Sequence, residues 1–507
     1  MEKTILSLDL GTTAIKVAIV DMNGKMLATS TQEYKLLTPD TLSVELPVET
    51  YWEAFKRGVN DALKKSGVPG ESLACMGISA QGETLILIDK NGTPLRNAIV
   101  WMDNRAQKEA EELGAKFPPQ VVYPVTGQVS IVPTWPASKL LWIKRHEPEI
   151  FKSIHKALLI EDYFIYRLTG EFACEGSLIC STVYWDINTK KWWPEMLGYL
   201  GISESQLPEI YEPGDVVGTI TKGVAEELGI SSKLIVCAGV LDQAAGAIGV
   251  GNIKPGMFSE NTGAALAICA TVNSVFQDPS FQMPCHYHGI KGLYMAHTFT
   301  TGGMALKWFR DAFCDVEMLL AEKTGLDAYY LMDREALQVP AGSDGLVMLP
   351  HLQGAMAPEA NPKAKGVYFG ITMKHTKAHF IRALMEAVGF IVQRNIEVIQ
   401  EMGIPVDEIR VLGGGSRSAA WNQIKADITG KVIWETGYAD AACLGVAIVS
   451  GVSSGLFPDL EKAVNEMVTL KRKYEPDMVN HERYKKLFSE YKQLYSDLCP
   501  MFTMSEQ

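Results

Sequence analysis

The stretch ILSLDLGTTAIKVAIV, residues 5–20, decides the fold class of this chain. Its first part, Ile5 to Leu10, is an apolar run typical of a buried strand, and it carries one carboxylate, Asp9, next to its end. A tight Gly11-Thr12-Thr13 turn follows, and residues 14–20 return to the apolar pattern of a second strand. The chain therefore begins as two strands joined by a polar turn, and this turn is the first candidate for chemistry.

Strands and helices alternate after this start. Residues 49–65 have helical spacing with acidic residues early, and residues 75–79 and 85–88 have the composition of strands. We predict that residues 106–230 are mostly helical. Alternation of this kind indicates an α/β fold with mixed sheets, and a length of 507 residues indicates two or three domains.

A second start like the first appears near the middle of the chain. Residues 236–240 form a predicted buried strand, which leads to Asp242 and a helix of small residues. Two further predicted strands, 257–259 and 264–270, flank the polar turn Asn261-Thr262-Gly263. Two polar Thr-Gly turns between strands suggest an internal duplication.

Composition restricts the partners and the compartment. The chain is 47% hydrophobic and 21% charged, which allows a large core, and its net charge of −12 argues against nucleic acid or an anionic membrane as partner. We find no leader-like pattern and no apolar stretch long enough to span a bilayer. The nine cysteines are scattered without a CxxC pair, which favours reduced thiols over a metal cage. A cytoplasmic location is the expectation.

The turn at residues 11–13 has the residue types that bind phosphate. Glycine lets the backbone approach a polyanion, and threonine hydroxyls and amides bond phosphate oxygens. Asp9 at the strand end can hold Mg²⁺ through water. The alternative is an ordinary hairpin turn, and the chain contains no GxxxxGK[ST] phosphate loop.

Two further positions carry candidate chemistry. Gly413-Gly414-Gly415 stands between a predicted strand and a helix, where it would suit either close approach to a flat ligand and its α-phosphate or simple packing. Asp242 follows a buried strand and begins a helix, so it is either a general base for an alcohol or a helix-capping aspartate. One residue can do both.

Polar loops among apolar strands suggest a site for a hydroxylated ligand. Gln81-Gly82-Glu83 is one such loop, and residues 101–105, Trp-Met-Asp-Asn-Arg, form another. The alternative is a surface ion-pair network. Trp135 is either an aromatic residue that stacks on the ligand or part of the core.

Taken together and in order, these motifs resemble one family, the FGGY carbohydrate kinases, which are relatives of glycerol kinase and xylulokinase within the actin, hexokinase and Hsp70 clan of ATPases. The resemblance covers nearly the whole chain. It rests on seven stretches: residues 9–13, 99–105, 139–142, 238–251, 261–263, 361–366 with 369–370, and 412–418.

The resemblance implies a fold of two actin-like (ribonuclease H-like) α/β domains with a cleft between them. The sugar would bind on the N-terminal side and ATP on the C-terminal side. We expect an N-terminal domain over residues 1–247, a C-terminal domain over 248–455 and a helical extension over 456–507.

The resemblance also implies roles for individual residues. Asp242 would be the catalytic base, and Asp9 would hold Mg²⁺ through water. The residues expected to bind ATP are Gly11, Thr12, Thr13, Thr262, Gly263, Gly414, Gly415 and Ser418. Those expected to bind the sugar are Gln81, Gly82, Glu83, Asp103, Trp135, Asp242 and Gln243.

The sugar loop leaves the substrate open. Xylulokinase-like members carry His-Gly where this chain has Gln81-Gly82-Glu83, and glycerol kinases carry Arg-Glu there. Asp242-Gln243 looks like the glycerol-kinase pair, whereas Thr301-Gly302-Gly303-Met304 resembles kinases of a linear quorum-sensing signal. A ketopentose is our first expectation, a polyol (glycerol or erythritol) the second and the quorum signal the third.

Two further matters stay open. From another class, the chain could be an actin-like ATPase that serves as a regulatory or binding module. The partner is expected to be a small-molecule sugar or polyol. Family members often form dimers or tetramers, and a homodimer is our working expectation.

Overall fold

The computed structural model describes residues 3–437 and 440–504. They fall into two compact units, neither of which is continuous in sequence. The first unit holds the described residues up to Lys254 together with Thr271–Met295 and Asp440–Thr469. The second unit holds Pro255–Ala270, the described residues from Ala296 to 437, and those from Leu470 onward.

The chain up to Lys254 contains the first fifteen strands and ten helices. The strands are β1 (Thr4–Leu10), β2 (Ala14–Val20), β3 (Met26–Glu33), β4 (Glu45–Leu46), β5 (Leu73–Ala80), β6 (Leu85–Ile88), β7 (Ala98–Ile99), β8 (Lys156–Leu159), β9 (Ala173–Glu175), β10 (Trp185–Asp186), β11 (Lys191–Trp192), β12 (Glu209–Tyr211), β13 (Val216–Thr219), β14 (Ile235–Cys237) and β15 (Val240–Leu241). The helices are α1 (Val48–Ser66), α2 (Gln107–Lys116), α3 (Pro119–Thr126), α4 (Pro136–His146), α5 (Pro148–Ser153), α6 (Ile160–Thr169), α7 (Gly176–Ile179), α8 (Pro194–Leu200), α9 (Lys222–Leu228) and α10 (Asp242–Gly249).

The remainder of the chain adds nine strands and eight helices in the described ranges. The strands are β16 (Gly256–Thr262), β17 (Ala265–Val272), β18 (Cys285–Tyr287), β19 (Tyr294–Thr301), β20 (Val347–Leu349), β21 (Val367–Phe369), β22 (Val406–Leu412), β23 (Val432–Thr436) and β24 (Leu470–Tyr474). The helices are α11 (Gly303–Phe313), α12 (Asp315–Thr324), α13 (Ala328–Ala336), α14 (Lys377–Glu401), α15 (Ala419–Thr429), α16 (Ala441–Ser453), α17 (Leu460–Met467) and α18 (Met478–Met504).

The main sheet of the first unit has the order β13-β14-β5-β1-β2-β3, and β15 also pairs with β5. β1 runs antiparallel to β2 and parallel to β5, which brings Asp9 beside Ser79 in register. β1 and β2 are buried along nearly their whole length because α1 packs on β2 and β3 while α16 packs on β1 and β5. This burial on both faces explains their near-continuous apolar sequence.

Helix α1 shows how the sequence sets this packing. Its buried residues include Tyr51, Trp52, Phe55 and Val59, spaced three and four apart so that they lie on one face. The helix ends at Gly67, whose φ of 66° is the left-handed conformation that favours glycine. The apolar face therefore covers the sheet.

The second unit repeats this arrangement. Its sheet contains β19-β17-β16-β22-β23-β24, in which β16 runs antiparallel to β17 and parallel to β22. Helix α14 is buried along most of its length and packs against α15. In each unit, an antiparallel hairpin with a polar turn therefore lies beside a parallel strand, as in an actin-like α/β fold.

Segments of the two units alternate along the sequence. The predicted division at 247/248 and 455/456 is contiguous, whereas α16 and α17 belong to the first unit because α16 packs on β1, β5 and α10. β24 pairs with β23 and keeps the last part of the chain with the second unit. The contiguous division stays a prediction.

Two local predictions need correction, whereas a third agrees with the structure. Residues 106–230 are mainly helical, as predicted, with helices α2 to α9, and they also contain the six short strands β8 to β13. The predicted strand 236–240 is interrupted between β14 and β15, and the predicted strand 257–259 is longer, so that Asn261 and Thr262 lie in β16. Among the described residues, no helix is long and apolar enough to cross a membrane.

Candidate active site

Asp9 lies at the end of β1, where the side chain of Ser79 on β5 donates a hydrogen bond of 3.0 Å to its carboxylate. Burial raises the pKa of Asp9, and the charge of Lys16 opposes this shift. Lys16 in turn donates to Asp440 over 2.7 Å. The strand end therefore holds a partly buried carboxylate with a cation nearby.

The turn after Asp9 is fixed at Gly11. Its amide donates to the Ala14 carbonyl over 3.1 Å, and its own carbonyl accepts from the Gln81 side chain over 3.2 Å and from the Tyr34 hydroxyl. A Cβ at Gly11 would lie 2.8 Å from the Ala14 oxygen, so that only glycine fits. The predicted turn is thus held at three points before any ligand binds.

Asp242 is the first residue of α10 in the same unit. Burial raises the pKa of its carboxyl to about 7, and the charges of Asp9 and Glu83 add to this shift. Hydrogen bonds from Gln243 oppose it. Asp9, Glu83 and Asp242 are close enough for their charges to interact, and we call these three residues the carboxylate cluster.

Glu83 lies on the loop between β5 and β6 with a φ of 54°, a left-handed conformation that is uncommon for a residue with a side chain. Burial raises the pKa of its carboxyl, while a hydrogen bond with Ser181 and the charge of Lys139 lower it. Strained backbone held in place by its surroundings is frequent at binding sites. The loop is therefore built to present this carboxylate.

Lys139 joins the loop at 81–83 to the loop at 100–101, a role that the motif at residues 139–142 did not indicate. Its side chain is fully buried, and its ammonium donates to the carbonyls of Glu83, Val100 and Trp101 over 2.9, 3.1 and 3.4 Å. Burial lowers its pKa to about 7. Its three donors thus join two loops that lie 17 residues apart in sequence (Glu83 and Val100).

Two predicted sugar ligands are placed differently from the prediction. The Asp103 side chain is fully buried, and its oxygens accept from the Val44 amide over 2.6 Å and from Arg105 over 2.8 to 3.1 Å. Asp103 therefore supports its loop instead of facing a ligand. Gln81 is also buried and bonds the Gly11 carbonyl, so that it supports the phosphate turn.

The other predicted sugar residues border the same region. Gly82 is buried, with Leu241 Cδ1 3.4 Å from where its Cβ would lie, and Gln243 is partly exposed beside Asp242. Trp135 is partly exposed, and its indole donates to the Ser130 carbonyl over 3.1 Å. These positions leave the predicted contacts open to test.

Trp101 is a site residue that the list of sugar ligands missed. It is 37% exposed, and its indole N–H donates to Thr12 Oγ1 over 2.8 Å. It therefore links the loop at 101–105 to the phosphate turn. An exposed tryptophan within a polar loop was the available signal.

The second unit contains a cavity of about 400 Å³ that brings together the predicted ATP-binding residues on its side. The lining includes these five predicted residues: Thr262, Gly263, Gly414, Gly415 and Ser418. The other lining residues are Ala264, Gly303, Met304, Leu306, Lys307, Asp327, Tyr329, Tyr330, Asp333, Arg417 and Trp421. Aromatic and apolar walls with polar turns at one end suit a flat base that carries phosphates.

The glycines in and next to this cavity are of two kinds: some pack against neighbouring backbone, and others border open space. Gly413 has a φ of 79°, and its Cβ would lie 2.4 Å from Asn261 Oδ1, so that it is required by close packing of β22 on β16. Gly263 would meet only the Ala265 oxygen at 3.7 Å, and nothing lies within 4 Å of a Cβ at Gly414. At these two positions the backbone borders open space, which a bound group can occupy.

A buried ion pair lies under the polar turn of the second unit. Lys425 donates to Glu260 over 2.6 Å, and both side chains are almost completely buried. The Thr262 hydroxyl donates to the same Glu260 carboxylate. The pair therefore fixes the side chain of a predicted phosphate ligand, although 165 residues separate its partners.

Asp333 is another residue that sequence reasoning missed. It lines the cavity from α13, burial raises its pKa to about 6, and a hydrogen bond with Ser418 opposes the shift. The helical pattern around it gave no signal. In the described part of the chain there is no cluster of three or more side chains with metal-binding geometry.

Comparison with known proteins places the chain in a family. The models for the N-terminal and C-terminal domains of the FGGY family of carbohydrate kinases match residues 4–249 and 265–454. The autoinducer-2 kinase of Klebsiella pneumoniae is 29% identical over 504 residues, which cover 97% of this chain and 94% of that protein. The xylulose kinase of Escherichia coli is 29% identical over 501 residues, which cover 98% and 99%.

A solved structure agrees with these matches. The gluconate kinase of Lactobacillus acidophilus superposes with a TM-score of 0.91 at 28% identity, over 100% of both chains. Two actin-like α/β units, each with a polar turn, define a phosphotransferase fold. The chain belongs to the FGGY family of carbohydrate kinases, which confirms the resemblance stated from its motifs. Membership implies ATP as the phosphate donor.

Proposed function

We propose that this protein transfers the γ-phosphate of ATP to a hydroxyl of a ketopentose, with Asp242 as the general base. The observation that carries the proposal is the position of Asp242 at the start of α10, directly after β15, where burial and the nearby charges of Asp9 and Glu83 raise its pKa to about 7. A general base works best when its pKa lies near the working pH, because it then combines the ionised form with useful basicity. Asp242 accepts the proton of the attacking hydroxyl as phosphoryl transfer proceeds.

One member of the carboxylate cluster, Asp9, has the chemistry to hold Mg²⁺ through water. Mg²⁺ commonly binds through one or two carboxylates and keeps several waters, and it would neutralise charge on the transferring phosphoryl group. Asp9 is partly buried, its carboxylate accepts a hydrogen bond from the uncharged Ser79 hydroxyl, and it lies near the charge of Asp242. We therefore assign Asp9 as the carboxylate that holds the ion through water.

The cavity of the second unit is the proposed site for ATP. The open space next to Gly263 and Gly414 allows backbone amides to approach phosphate oxygens, as glycine turns do in other nucleotide sites. Tyr330 and Trp421 offer aromatic surface for the base. In the first unit, the turn at Gly11, Thr12 and Thr13 stays a predicted phosphate-binding turn.

Gly263→Val tests this assignment. The substitution meets nothing closer than the Ala265 oxygen, so the fold should tolerate it, while the added side chain occupies the space proposed for phosphate. We expect KM for ATP to rise about tenfold or more, equal to about 1.4 kcal/mol, with sugar affinity unchanged. The measurement is a steady-state ATP titration at saturating sugar.

Gly218→Val is the matched control, because Gly218 on β13 also has nothing within 4 Å of a Cβ and lies in the other unit. Its KM for ATP should equal that of the parent. An unchanged KM in Gly263→Val would remove this turn from the phosphate site.

Glu83 is the proposed anchor for sugar hydroxyls. Arg105, the alternative partner on the surface, pairs instead with Asp103 and Glu45. The carboxylate of Glu83 bonds Ser181 and can accept from ligand hydroxyls, and a hydrogen bond to a charged group contributes about 1.5–3 kcal/mol. Burial raises the pKa of Glu83, whereas an ion pair with arginine would lower it.

Glu83→Gln should therefore weaken sugar binding about tenfold or more, since 1.4 kcal/mol is a factor of ten. Nucleotide affinity and melting temperature should stay near those of the parent. The measurement is calorimetric titration of the preferred sugar into nucleotide-free protein, with Glu53→Gln on the exposed side of α1 as control. Equal sugar affinity in Glu83→Gln and the parent would place the sugar elsewhere.

The choice of a ketopentose rests on the xylulose kinases among the relatives, and a second candidate has equal standing by identity. The xylulose kinase of Escherichia coli and the autoinducer-2 kinase of Klebsiella pneumoniae are both 29% identical to this chain. Polyols and gluconate complete the set of acceptors to test. All of these ligands present adjacent hydroxyls to a carboxylate.

A panel assay decides between them. ADP release should be measured with xylulose, ribulose, glycerol, erythritol, gluconate and autoinducer-2, and kcat/KM compared, because this ratio expresses discrimination. We expect xylulose or ribulose to exceed the others by about tenfold. A lead for glycerol or autoinducer-2 would overturn the ketopentose assignment, and no dependence on any acceptor would favour an ATPase module.

A further inference from the structure

A buried segment beside the carboxylate cluster links the proposed base to the proposed sugar ligand. We call it the serine segment, residues 176–182, and it comprises α7 and the turn Cys180–Thr182. It contains two buried serines, Ser177 and Ser181. Ser177 contacts the chain next to Asp242, and Ser181 lies beside the loop that carries Glu83, with its Oγ 3.8 Å from where a Cβ of Gly82 would lie.

The contact at Ser177 involves the backbone immediately before Asp242. The Leu241 amide donates to Ser177 Oγ over 3.0 Å, and both groups are buried. Two residues earlier, the Gly239 amide donates to Glu161 Oε1 over 3.0 Å. Two buried side chains thus accept from the backbone that leads into α10.

These contacts are needed because the sheet is interrupted there. β14 ends at Cys237 and β15 begins at Val240, and a Cβ at Gly239 would lie 2.4 Å from the Glu161 carboxyl. A buried amide without an acceptor is destabilising, because it loses its hydrogen bonds to water. Glu161 therefore replaces the sheet partner at Gly239, while Ser177 holds Leu241, the last residue of β15, just before Asp242.

The hydrogen-bond direction at Ser177 is fixed by Glu175. Ser177 Oγ donates its single proton to Glu175 Oε1 over 2.7 Å, so that its lone pairs face the Leu241 amide. The Glu175 carboxylate also accepts the amides of Ser177 and Leu178 over 2.6 and 2.7 Å. Glu175 thereby locks both the rotamer of Ser177 and the start of α7.

We propose that Ser177, oriented by Glu175, is a positioning residue for Asp242, and that Ser181 is a separate positioning residue for Glu83. The rigid serine segment then sets the placement of the base relative to the acceptor ligand. This inference rests on the proposed function, because it assumes that Asp242 is the base and Glu83 a sugar ligand. A misplacement of about 1 Å can cost up to about 10²-fold in rate.

The two serines should therefore give opposite kinetic signatures. Ser177→Ala should lower kcat about tenfold, with KM for sugar and for ATP within twofold of the parent. Ser181→Ala should raise KM for sugar about tenfold, with kcat within twofold. Ser450→Ala, a buried serine on α16 that bonds only within its own region of the first unit, should leave both constants unchanged.

The pH profile of kcat separates positioning from a merely structural role. In Ser177→Ala the ascending limb of the profile should move, because the environment of Asp242 changes, whereas a simple loss of stability lowers the melting temperature and leaves the limb in place. Ser177→Cys keeps the shape with a weaker acceptor and should give an intermediate kcat. This variant also provides the test if Ser177→Ala does not fold.

The inference is overturned if both serine variants change the same constant, or if kcat and the pH limb of Ser177→Ala equal those of the parent. Its failure is distinct from failure of the proposed function. If Asp242→Asn keeps its turnover, the base itself is wrong; if Asp242→Asn is inactive and Ser177→Ala is fully active, only the positioning role is lost.

Discussion

Asp242→Asn is expected to lose at least about 10²-fold in kcat, the lower end of what a general base contributes. The substitution keeps the size of the side chain and removes the group that accepts the proton. Sugar binding should survive, because only one polar contact changes. The measurement is turnover at saturating ATP and sugar, and near-normal turnover would contradict the assignment of the base.

Two further readouts make this variant informative. Since burial, Asp9 and Glu83 raise the pKa of Asp242 to about 7, the ionised form grows as pH rises through 7, so parent activity should increase across that range. Asp242→Asn should show no such limb in its residual activity. Its melting temperature should equal or exceed that of the parent, because it removes one charge from the carboxylate cluster.

Lys425→Met is expected to produce the largest loss of stability. It removes one partner of a buried ion pair and leaves Glu260 charged and buried, which typically costs about 3–5 kcal/mol. The double variant with Glu260→Gln removes both charges and should recover much of that loss. The measurement is the shift of the urea unfolding midpoint of the full-length protein.

The control is an exposed pair of the same type. Lys462 and Glu466 lie four residues apart on α17 with side chains 56% and 39% exposed, so Lys462→Met should hardly move the midpoint. Equal shifts of the unfolding midpoint in Lys425→Met and Lys462→Met would mean that the buried ion pair stabilises the fold no more than the exposed one. KM for ATP should rise in Lys425→Met as well, because Glu260 also orients Thr262.

The features predicted well from sequence are local. The two strands and the turn at residues 5–20 are determined by residues that are close in sequence. Gly11 and Gly413 lie so close to other backbone that no side chain fits, and such required glycines can be recognised in a sequence. The position of Asp242 between a strand and a helix was also predicted from a local pattern, and its role as the base stays a prediction. The family resemblance then indicated that these turns serve one function, the binding of ATP.

The features that sequence missed depend on distant pairing. Lys139 reaches back 56 residues to the Glu83 carbonyl, and Lys425 reaches 165 residues to Glu260. Asp103 is a residue type that often binds ligands, but inside the fold its carboxylate accepts hydrogen bonds from Arg105 and from the Val44 amide. The discontinuous units have the same origin, since only packing shows that α16 lies on β1 and β5.

The central claim, phosphoryl transfer from ATP to a sugar hydroxyl, is tested most directly by phosphorus NMR of a reaction mixture. The protein, ATP, Mg²⁺ and each acceptor of the panel are incubated together, and the products are quantified. We predict that one acceptor gives ADP and a sugar phosphate monoester in equal amounts, and that omitting it abolishes both signals. ADP with inorganic phosphate alone, independent of every acceptor, would contradict the account.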